Sequence, residues 1–276
     1  MFEGAPIPKL LYGTAWKEER TLALTALALE AGFRGIDTAN QRKHYFEAAV
    51  GQAVQAAIAA GQVTRQSLFL QSKFTFKDGQ DERLPYDPAA AVAEQVRQSF
   101  ESSLQHFGTE YLDSFVLHGP SSRGRLTPSD VEAWRAIEAL ASEGRTRFIG
   151  VSNFTLEQLR ELLGLAQVTP RFLQNRCYAK QGWDREVRRL CGEHGVVYQG
   201  FSLLTANREE LKQADVQRLA KRTGHSAAEL VFRFALQVGM LPLTGTSSAE
   251  HMRLDLGVLD FSLDPGDVEL LERIAG

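Results

Sequence analysis

The sequence predicts an α/β fold of the (β/α)8 TIM-barrel class, formed by residues 1–276 as a single domain. Three observations favour this architecture. Eight short apolar runs alternate with amphipathic stretches, and no linker or low-complexity tract separates the chain into parts. The glycine-rich phosphate motifs of open, doubly wound sheets are absent, so closure into a barrel is favoured. A chain of this length suits one such barrel.

The eight apolar runs have the length of strands and are too short for helices. They are residues 10–14, 33–37, 68–73, 113–118, 147–153, 171–175, 196–202 and 240–245. Between them, apolar residues recur at helical spacing. The clearest of these stretches are Glu19–Glu30, Tyr45–Ala60, Ala89–His106 and Pro128–Glu143. Strand followed by helix, repeated along the chain, predicts parallel pairing.

Several helix ends are marked by capping residues. Thr127 precedes Pro128, and proline suits the first position of a helix, so Thr127 is predicted to cap a helix from Pro128. Thr155 and Gln158 have the spacing of a reciprocal cap. Three glycines are predicted to end helices: Gly144, Gly192 and Gly239.

The composition is that of an ordinary globular protein, with 43% hydrophobic and 24% charged residues. The net charge is −3 and the basic residues form no cluster, which disfavours nucleic acid and anionic membranes as partners. A small molecule is the expected partner. Cys177 and Cys191 fit neither a disulfide framework nor a zinc site and are interpreted as reduced and structural. The N-terminal residues lack a signal-peptide pattern, so we expect a cytoplasmic protein.

Polar residues end most of the predicted strands, where the carboxyl ends of barrel strands converge. Asp37, Lys73 and His118 end the second, third and fourth strands. The later strands end in Ser152 and Asn153, Gln174 and Asn175, and Phe201 and Ser202. An aspartate, a lysine and a histidine on one rim indicate acid/base chemistry more than metal binding, because a metal site would disfavour an ammonium group.

Tyr45 is the tyrosine in the segment after the second strand. A neighbouring ammonium group favours the phenolate and is expected to hold the pKa of such a tyrosine below its usual value of about 10. Tyr45 is therefore a candidate acid. The alternative interpretation is a residue of the first helical turn that packs on the rim.

Four segments together resemble the aldo-keto reductase family, over nearly the whole chain. Gly32–Ala39, followed by Val50 and Gly51, is similar to the family's G-[FY]-R-x-[IL]-D-T-A signature. The other three are Leu70–Lys73, Tyr111–His118 and Arg147–Phe154. The resemblance implies a barrel that binds a nicotinamide dinucleotide without a Rossmann domain and reduces carbonyl groups by hydride transfer. It also implies a monomer.

Carried onto this sequence, the resemblance implies four catalytic residues: Asp37, Tyr45, Lys73 and His118. Tyr45 would protonate the carbonyl oxygen, Lys73 paired with Asp37 would tune it, and His118 would orient the oxygen. Trp16 and His118 would contact the substrate. The residues implied for the cofactor are Gly13, Thr14, Ser152, Asn153, Gln174, Phe201, Ser202, Thr244, Thr246 and Ser247.

The segment after the second strand departs from the family pattern. Arg42 stands where the family has its tyrosine, and the segment from Asp37 to Val50 is two residues longer. Counting back from Val50 instead leads to His44, so the acid is either Tyr45, which we favour, or His44.

The cofactor segment departs as well. Leu243 and His251 replace the two basic residues that normally read a 2′-phosphate. Hydroxyls of residues such as Ser248, helix N-terminal amides and the nearby Arg253 are possible substitutes; a capping role for Ser247 and Ser248 is the alternative. NADP(H) is the expected cofactor, with NAD(H) as the second choice.

Two other functions stay open at this point. The first is a cofactor-binding regulatory or redox-sensing subunit with little or no catalysis, which would suit the altered tyrosine segment. The second is a metal-dependent barrel hydrolase, which the rim lysine disfavours. Because Gly119 and Pro120 replace the usual Trp-Pro, the substrate is predicted only as an aldehyde or ketone.

Overall fold

Eight parallel strands close into a barrel in the computed structural model, which describes residues 5–275. The strands are β1 (Leu11–Gly13), β2 (Gly35–Asp37), β3 (Phe69–Phe74), β4 (Leu112–Leu117), β5 (Thr146–Ser152), β6 (Phe172–Arg176), β7 (Val197–Phe201) and β8 (Leu241–Thr244). Each pairs with its sequence neighbour, and β8 pairs with β1. The predicted fold class and all eight strands are confirmed. The outermost residues of the predicted domain, 1–4 and 276, lie outside the described part.

Helices cover the outside of the barrel. They are α1 (Thr21–Ala31), α2 (Glu47–Ala59), α3 (Val92–Phe107), α4 (Pro128–Ser142), α5 (Leu156–Leu165), α6 (Arg185–Glu193), α7 (Ala214–Thr223), α8 (Ala227–Gln237), α9 (Ala249–Gly257) and α10 (Pro265–Glu272). Strands with a packed interior on one side and helices on the other are buried on both faces, which explains their nearly continuous apolar character.

The capping predictions are confirmed at two helices. Thr127 and Asp130 form a reciprocal cap at the start of α4, and Thr155 and Gln158 do so at α5. The prediction for Gly192 was wrong, because α6 continues through Glu193 and ends before a different glycine. That glycine, Gly195, has a φ of 68°.

The segment before α2 also differs from its prediction. The helix begins at Glu47, so Tyr45 lies in the preceding turn, where its N–H donates to the carbonyl of Gln41. Within α2, Gly51 allows a close approach to α3. A Cβ atom at this position would lie 1.8 Å from the carbonyl oxygen of His106. The glycine therefore fixes how closely the helix that follows Tyr45 packs against its neighbour.

The barrel interior has two layers of different chemistry. Its amino-terminal part is filled by apolar side chains from alternating strand positions, a group we call the apolar floor: Leu11, Phe69, Phe148, Phe172, Val197 and Leu241. Three of its aromatic rings contact one another at centroid distances of 5.7 to 6.4 Å. Polar side chains fill the layer above, toward the carboxyl ends of the strands. The floor closes one end of the barrel, so chemistry is confined to the other.

Candidate active site

A cavity of about 570 Å³ opens at the carboxyl ends of the strands. Most of the residues predicted for the site line it: Gly13, Trp16, Asp37, Tyr45, His118, Ser152, Asn153, Gln174, Phe201, Ser202, Thr244 and Thr246. Three predicted residues lie outside this lining. Lys73 and Thr14 are buried beneath it, and Ser247 is exposed in the loop after β8.

Lys73 and Asp37 form a buried ion pair beneath the cavity. The Lys73 Nζ atom donates to Asp37 Oδ1 at 2.7 Å and to the Thr38 carbonyl at 2.7 Å. Thr14 supports the same strand end, because its hydroxyl donates to the Asp37 carbonyl. Burial lowers the pKa of Lys73, and the negative charge of Asp37 opposes this shift. The pair is therefore held together inside the barrel, with its position fixed by β2 and β3.

Three glutamine side chains extend this pair into a hydrogen-bonded amide layer. The Nε2 atoms of Gln71 and Gln174 both donate to Asp37 Oδ1, at 2.7 and 3.0 Å. Both also donate to Gln199 Oε1, and Gln199 Nε2 donates back to Gln71. Sequence reasoning missed Gln71 and Gln199. Strand alternation was the available signal, since Gln71 shares the inward face with Lys73 and Gln199 shares it with Phe201.

Tyr45 reaches the cavity at the same place. Its ring centroid lies 5.3 Å from Lys73 Nζ and 5.7 Å from the His118 ring. His44 takes a different direction: its ring packs against that of Trp16 in a tilted arrangement, with 4.0 Å between the ring centroids, and it lines a neighbouring cavity. Arg42, at the family's usual tyrosine position, makes ion pairs with Glu18 and Glu19.

The expected low pKa of Tyr45 was wrong. The pKa of Tyr45 is raised above its usual value, mainly because burial disfavours the phenolate and also because Asp37 is negatively charged. Lys73 does not reverse this, since its charge is already paired with Asp37. Tyr45 is therefore a neutral phenol that carries its proton at physiological pH.

His118 is fixed in orientation by its neighbours. The Nδ1 atom shares a 2.7 Å hydrogen bond with the hydroxyl of Thr75, and the His118 carbonyl accepts from Asn153 Nδ2. Among residues 5–275, no hydrogen bond engages Nε2. Burial and the charge of Lys73 hold the pKa of His118 well below its usual value, so the ring is neutral. A neutral imidazole with one free nitrogen can make a hydrogen bond to a substrate oxygen.

Beside these groups lies a set of atoms complementary to a primary carboxamide. Asn153 and Gln174 use their amide nitrogens on protein partners, which leaves Oδ1 and Oε1 as acceptors. The Ser152 hydroxyl accepts from Asn153, so its proton is available to donate. Two acceptors and one donor match the NH₂ and C=O groups of a carboxamide. Phe201 adds a half-buried aromatic wall to the same cavity. The residues present therefore fit a nicotinamide ring.

The other end of the cavity lies between β8, α8 and α9. Thr244, Thr246 and His251, which the sequence analysis placed in the cofactor segment, line this end. Glu229 and Asp255 also line it, although the sequence analysis did not predict them. Ser248 has the capping role that was the alternative interpretation, because its hydroxyl caps α9 by accepting from the His251 N–H. Asn175 is structural as well: its amide bonds both main-chain groups of Phe154.

In the described part of the chain, the two cysteines, the residue types that ligate metals and the apolar character of the helices add no further candidate site. Cys177 and Cys191 are buried free thiols, and burial raises the pKa of each to about 12. Within residues 5–275, no group of three or more His, Cys, Asp or Glu side chains is arranged to hold a metal ion. In the same range, no helix combines the length and apolar character needed to cross a membrane.

Fold and site together are those of a barrel oxidoreductase, and comparison with known proteins agrees. The profile of the Aldo/keto reductase family matches residues 9–275, and the chain belongs to this family. Members of this family generally use NAD(P)H.

Individual relatives span nearly the same length. The uncharacterized oxidoreductase YtbE of Bacillus subtilis is 28% identical, covering 99% of this chain and 91% of the relative. An aldo-keto reductase of Mycolicibacterium vanbaalenii is 31% identical, covering 90% and 80%. The crystal structure of an aldo/keto reductase from Brucella melitensis superposes with a TM-score of 0.81 at 27% identity, covering 97% and 95%.

Proposed function

We propose that this protein, as one domain of residues 1–276, reduces an aldehyde or ketone to an alcohol with a reduced nicotinamide dinucleotide, and that Tyr45 supplies the proton. One observation carries the proposal: Tyr45, the Lys73–Asp37 pair and His118 meet at one end of a cavity, next to side chains complementary to a carboxamide. When bound, the dinucleotide supplies the hydride.

The nicotinamide ring would be held by Ser152, Asn153 and Gln174, with Phe201 against its face. Gln174 is itself fixed by Asp37 and Gln199, so its free oxygen has a defined direction. A site held by a rigid amide layer limits the positions that a bound ring can take, and such restriction is a main source of rate enhancement.

His118 would bind the carbonyl oxygen of the substrate through Nε2. Because its Nδ1 atom is engaged by Thr75, the ring cannot easily rotate away. A neutral histidine is suited to this role, since it donates one hydrogen bond without adding a positive charge next to Lys73.

Tyr45 would then transfer its proton to the same oxygen. The raised pKa keeps the phenol protonated until charge develops on the oxygen, and an alkoxide is a stronger base than a phenolate. Lys73 acts on the resulting phenolate. Its ammonium group lies 5.3 Å from the ring and stabilises negative charge there better than a neutral side chain would. In this scheme Lys73 stabilises the product of proton transfer and so offsets part of the rise that burial causes, although the pKa of the resting tyrosine stays above its usual value.

The test compares Tyr45→Phe with His44→Ala. Consumption of the dihydronicotinamide is followed by absorbance with an aromatic aldehyde as substrate. Tyr45→Phe should lose about 10²- to 10⁴-fold in kcat, the usual contribution of a general acid. His44→Ala should retain most of the activity and serves as the matched control, because His44 packs on Trp16 and does not line the cavity that Tyr45 lines.

Two outcomes would contradict the proposal. If only His44→Ala abolishes reduction while nucleotide binding survives, the acid is His44. If the wild-type protein binds the nucleotide and reduces no carbonyl compound, it is a regulatory or redox-sensing subunit. The proposal also includes a cytoplasmic monomer, and light scattering after size exclusion tests the oligomeric state.

A further inference from the structure

The end of the cavity between β8, α8 and α9 has an acidic lining. It is formed by Glu229 on α8, by Thr244 on β8, and by His251, Leu254 and Asp255 on α9. Among the residues that the structure describes, no lysine or arginine lines the cavity. If the nicotinamide ring lies beside Tyr45, as proposed above, the same cavity gives the adenosine half of an extended dinucleotide a place at this end.

Asp255 is the central group of this end. It is buried, and one carboxylate oxygen accepts from the Thr244 hydroxyl at 2.6 Å. Within residues 5–275, no other hydrogen bond engages the carboxylate, so the second oxygen remains an acceptor. Burial raises the pKa of Asp255 to about 6, and the group is therefore anionic at neutral pH. An anionic acceptor can bind a ribose hydroxyl but repels a phosphate.

Two cations near this end, Arg253 and Lys17, do not line the cavity. Arg253 is exposed and outside the lining, because helical spacing turns His251 and Asp255 to the cavity and turns Arg253 away. Lys17 lies close to the loop after β8, where its ammonium group donates to the main-chain carbonyl of Gly245, and burial lowers the pKa of Lys17 to about 8. Glu229 adds a second carboxylate, held by the cap of α8 at Ser226.

We infer that the protein discriminates against NADPH and uses NADH, with Asp255 as the residue that sets the preference. The inference rests on the proposed function and reverses the initial expectation of NADP(H). NADH and NADPH differ only by the 2′-phosphate, which carries up to two negative charges. Placed against Asp255 and Glu229 with no cation in the lining, that phosphate loses its hydration without gaining a charged partner. A free 2′-hydroxyl would meet an acceptor instead.

Isothermal titration calorimetry of the wild-type protein with NADH and with NADPH, at about pH 8, tests the inference. We expect NADH to bind at least about tenfold more tightly, a difference of about 1.4 kcal/mol. Tighter binding of NADPH, or equal binding, would overturn the inference while leaving the proposed function intact. Binding of neither nucleotide would overturn the proposed function, and the inference with it.

Two variants then test which residues set the preference for NADH over NADPH. Asp255→Asn keeps the shape and the contact with Thr244 but removes the charge, and it should narrow the affinity ratio by about threefold or more through stronger NADPH binding. His251→Arg adds a cation at an exposed position of the lining and should strengthen NADPH binding by about tenfold.

Asp260→Asn is the matched control, because it removes the same charge from an exposed residue outside the cavity. It should leave the ratio unchanged. If it shifts the ratio as much as Asp255→Asn does, net charge and not Asp255 sets the preference, and the assignment is wrong. His251→Arg keeps the test valid if Asp255→Asn fails to fold: an unchanged ratio in His251→Arg would also overturn the inference.

Discussion

The two layers inside the barrel are made of the same strands yet differ in chemistry. In β3, Phe69 belongs to the apolar floor, while Gln71 and Lys73 belong to the polar layer two and four residues later. In β6, Phe172 and Gln174 divide in the same way. These five side chains are buried in both layers: Phe69, Phe172, Gln71, Lys73 and Gln174. The comparison shows that burial alone does not distinguish a residue that stabilises the barrel from one that serves its chemistry.

The first way to test the contrast is to remove a ring from the floor. Phe172→Ala should lower the free energy of unfolding by about 3–5 kcal/mol, because it deletes a fully buried ring that packs against Phe69 and Phe148. Urea denaturation measures the loss. Activity per folded molecule should stay near that of the wild type, since Phe172 does not line the cavity. Val168→Ala, at an exposed position, should change stability by less than about 0.5 kcal/mol.

A large loss of kcat in folded Phe172→Ala protein would contradict this expectation, because it would show that the apolar floor also contributes to catalysis.

The second way is to break the amide layer. Gln199→Leu removes the acceptor shared by Gln71 and Gln174 and leaves buried polar groups without partners. We expect a loss of about 1–3 kcal/mol in unfolding free energy, smaller than in the floor. Here, however, KM for the nucleotide should rise, because Gln174 loses a contact that fixes its side chain. Steady-state kinetics at several nucleotide concentrations measures this effect, and Gln199→Glu shows whether an acceptor alone restores it. An unchanged KM in Gln199→Leu would contradict the positioning role.

The third way uses pH, because only the upper layer contains a titrating histidine. The folded protein holds the pKa of His118 well below 6.5, so below about pH 6.5 the unfolded chain binds a proton that the folded protein does not. This contribution to stability is complete above that pH and is lost as the pH falls toward the folded-state pKa. One such group contributes at most about 1.4 kcal/mol per pH unit.

Thermal or urea unfolding between about pH 7.5 and 5 should therefore show a steeper loss for the wild type than for His118→Gln. Phe172→Ala should keep the wild-type slope. Equal slopes in wild type and His118→Gln would mean that His118 does not resist protonation.

Much of this molecule was predictable from sequence, for a physical reason. Strand and helix periodicities are local, and so are the caps at Thr127 and Thr155. The strands and both caps were confirmed, and the predicted helices are present with ends shifted by at most three residues. The rim residues were predictable because parallel strands bring their carboxyl ends together. Gln71 and Gln199 were missed because only the last residues of each strand were considered. Both lie two residues before a strand-end residue, and side chains at that spacing point to the same inward face of the strand.

Other features depend on tertiary structure and left no local signal. The choice between His44 and Tyr45 depends on a turn whose direction is set by packing on Trp16. The pKa of Tyr45 depends on how deeply the phenol is buried and on the pairing of Lys73 with Asp37. The acidic far end of the cavity required α8 and α9 to be placed side by side.

Trp16 has a further consequence for how the protein can be studied. Trp134 and Trp183 are completely buried, whereas Trp16 is 67% exposed at the lip of the cavity. The emission of an exposed indole lies at longer wavelength than that of a buried one and is quenched by acrylamide. The red edge of the intrinsic fluorescence is therefore an optical reporter of the cavity entrance, built into the chain and readable without any label.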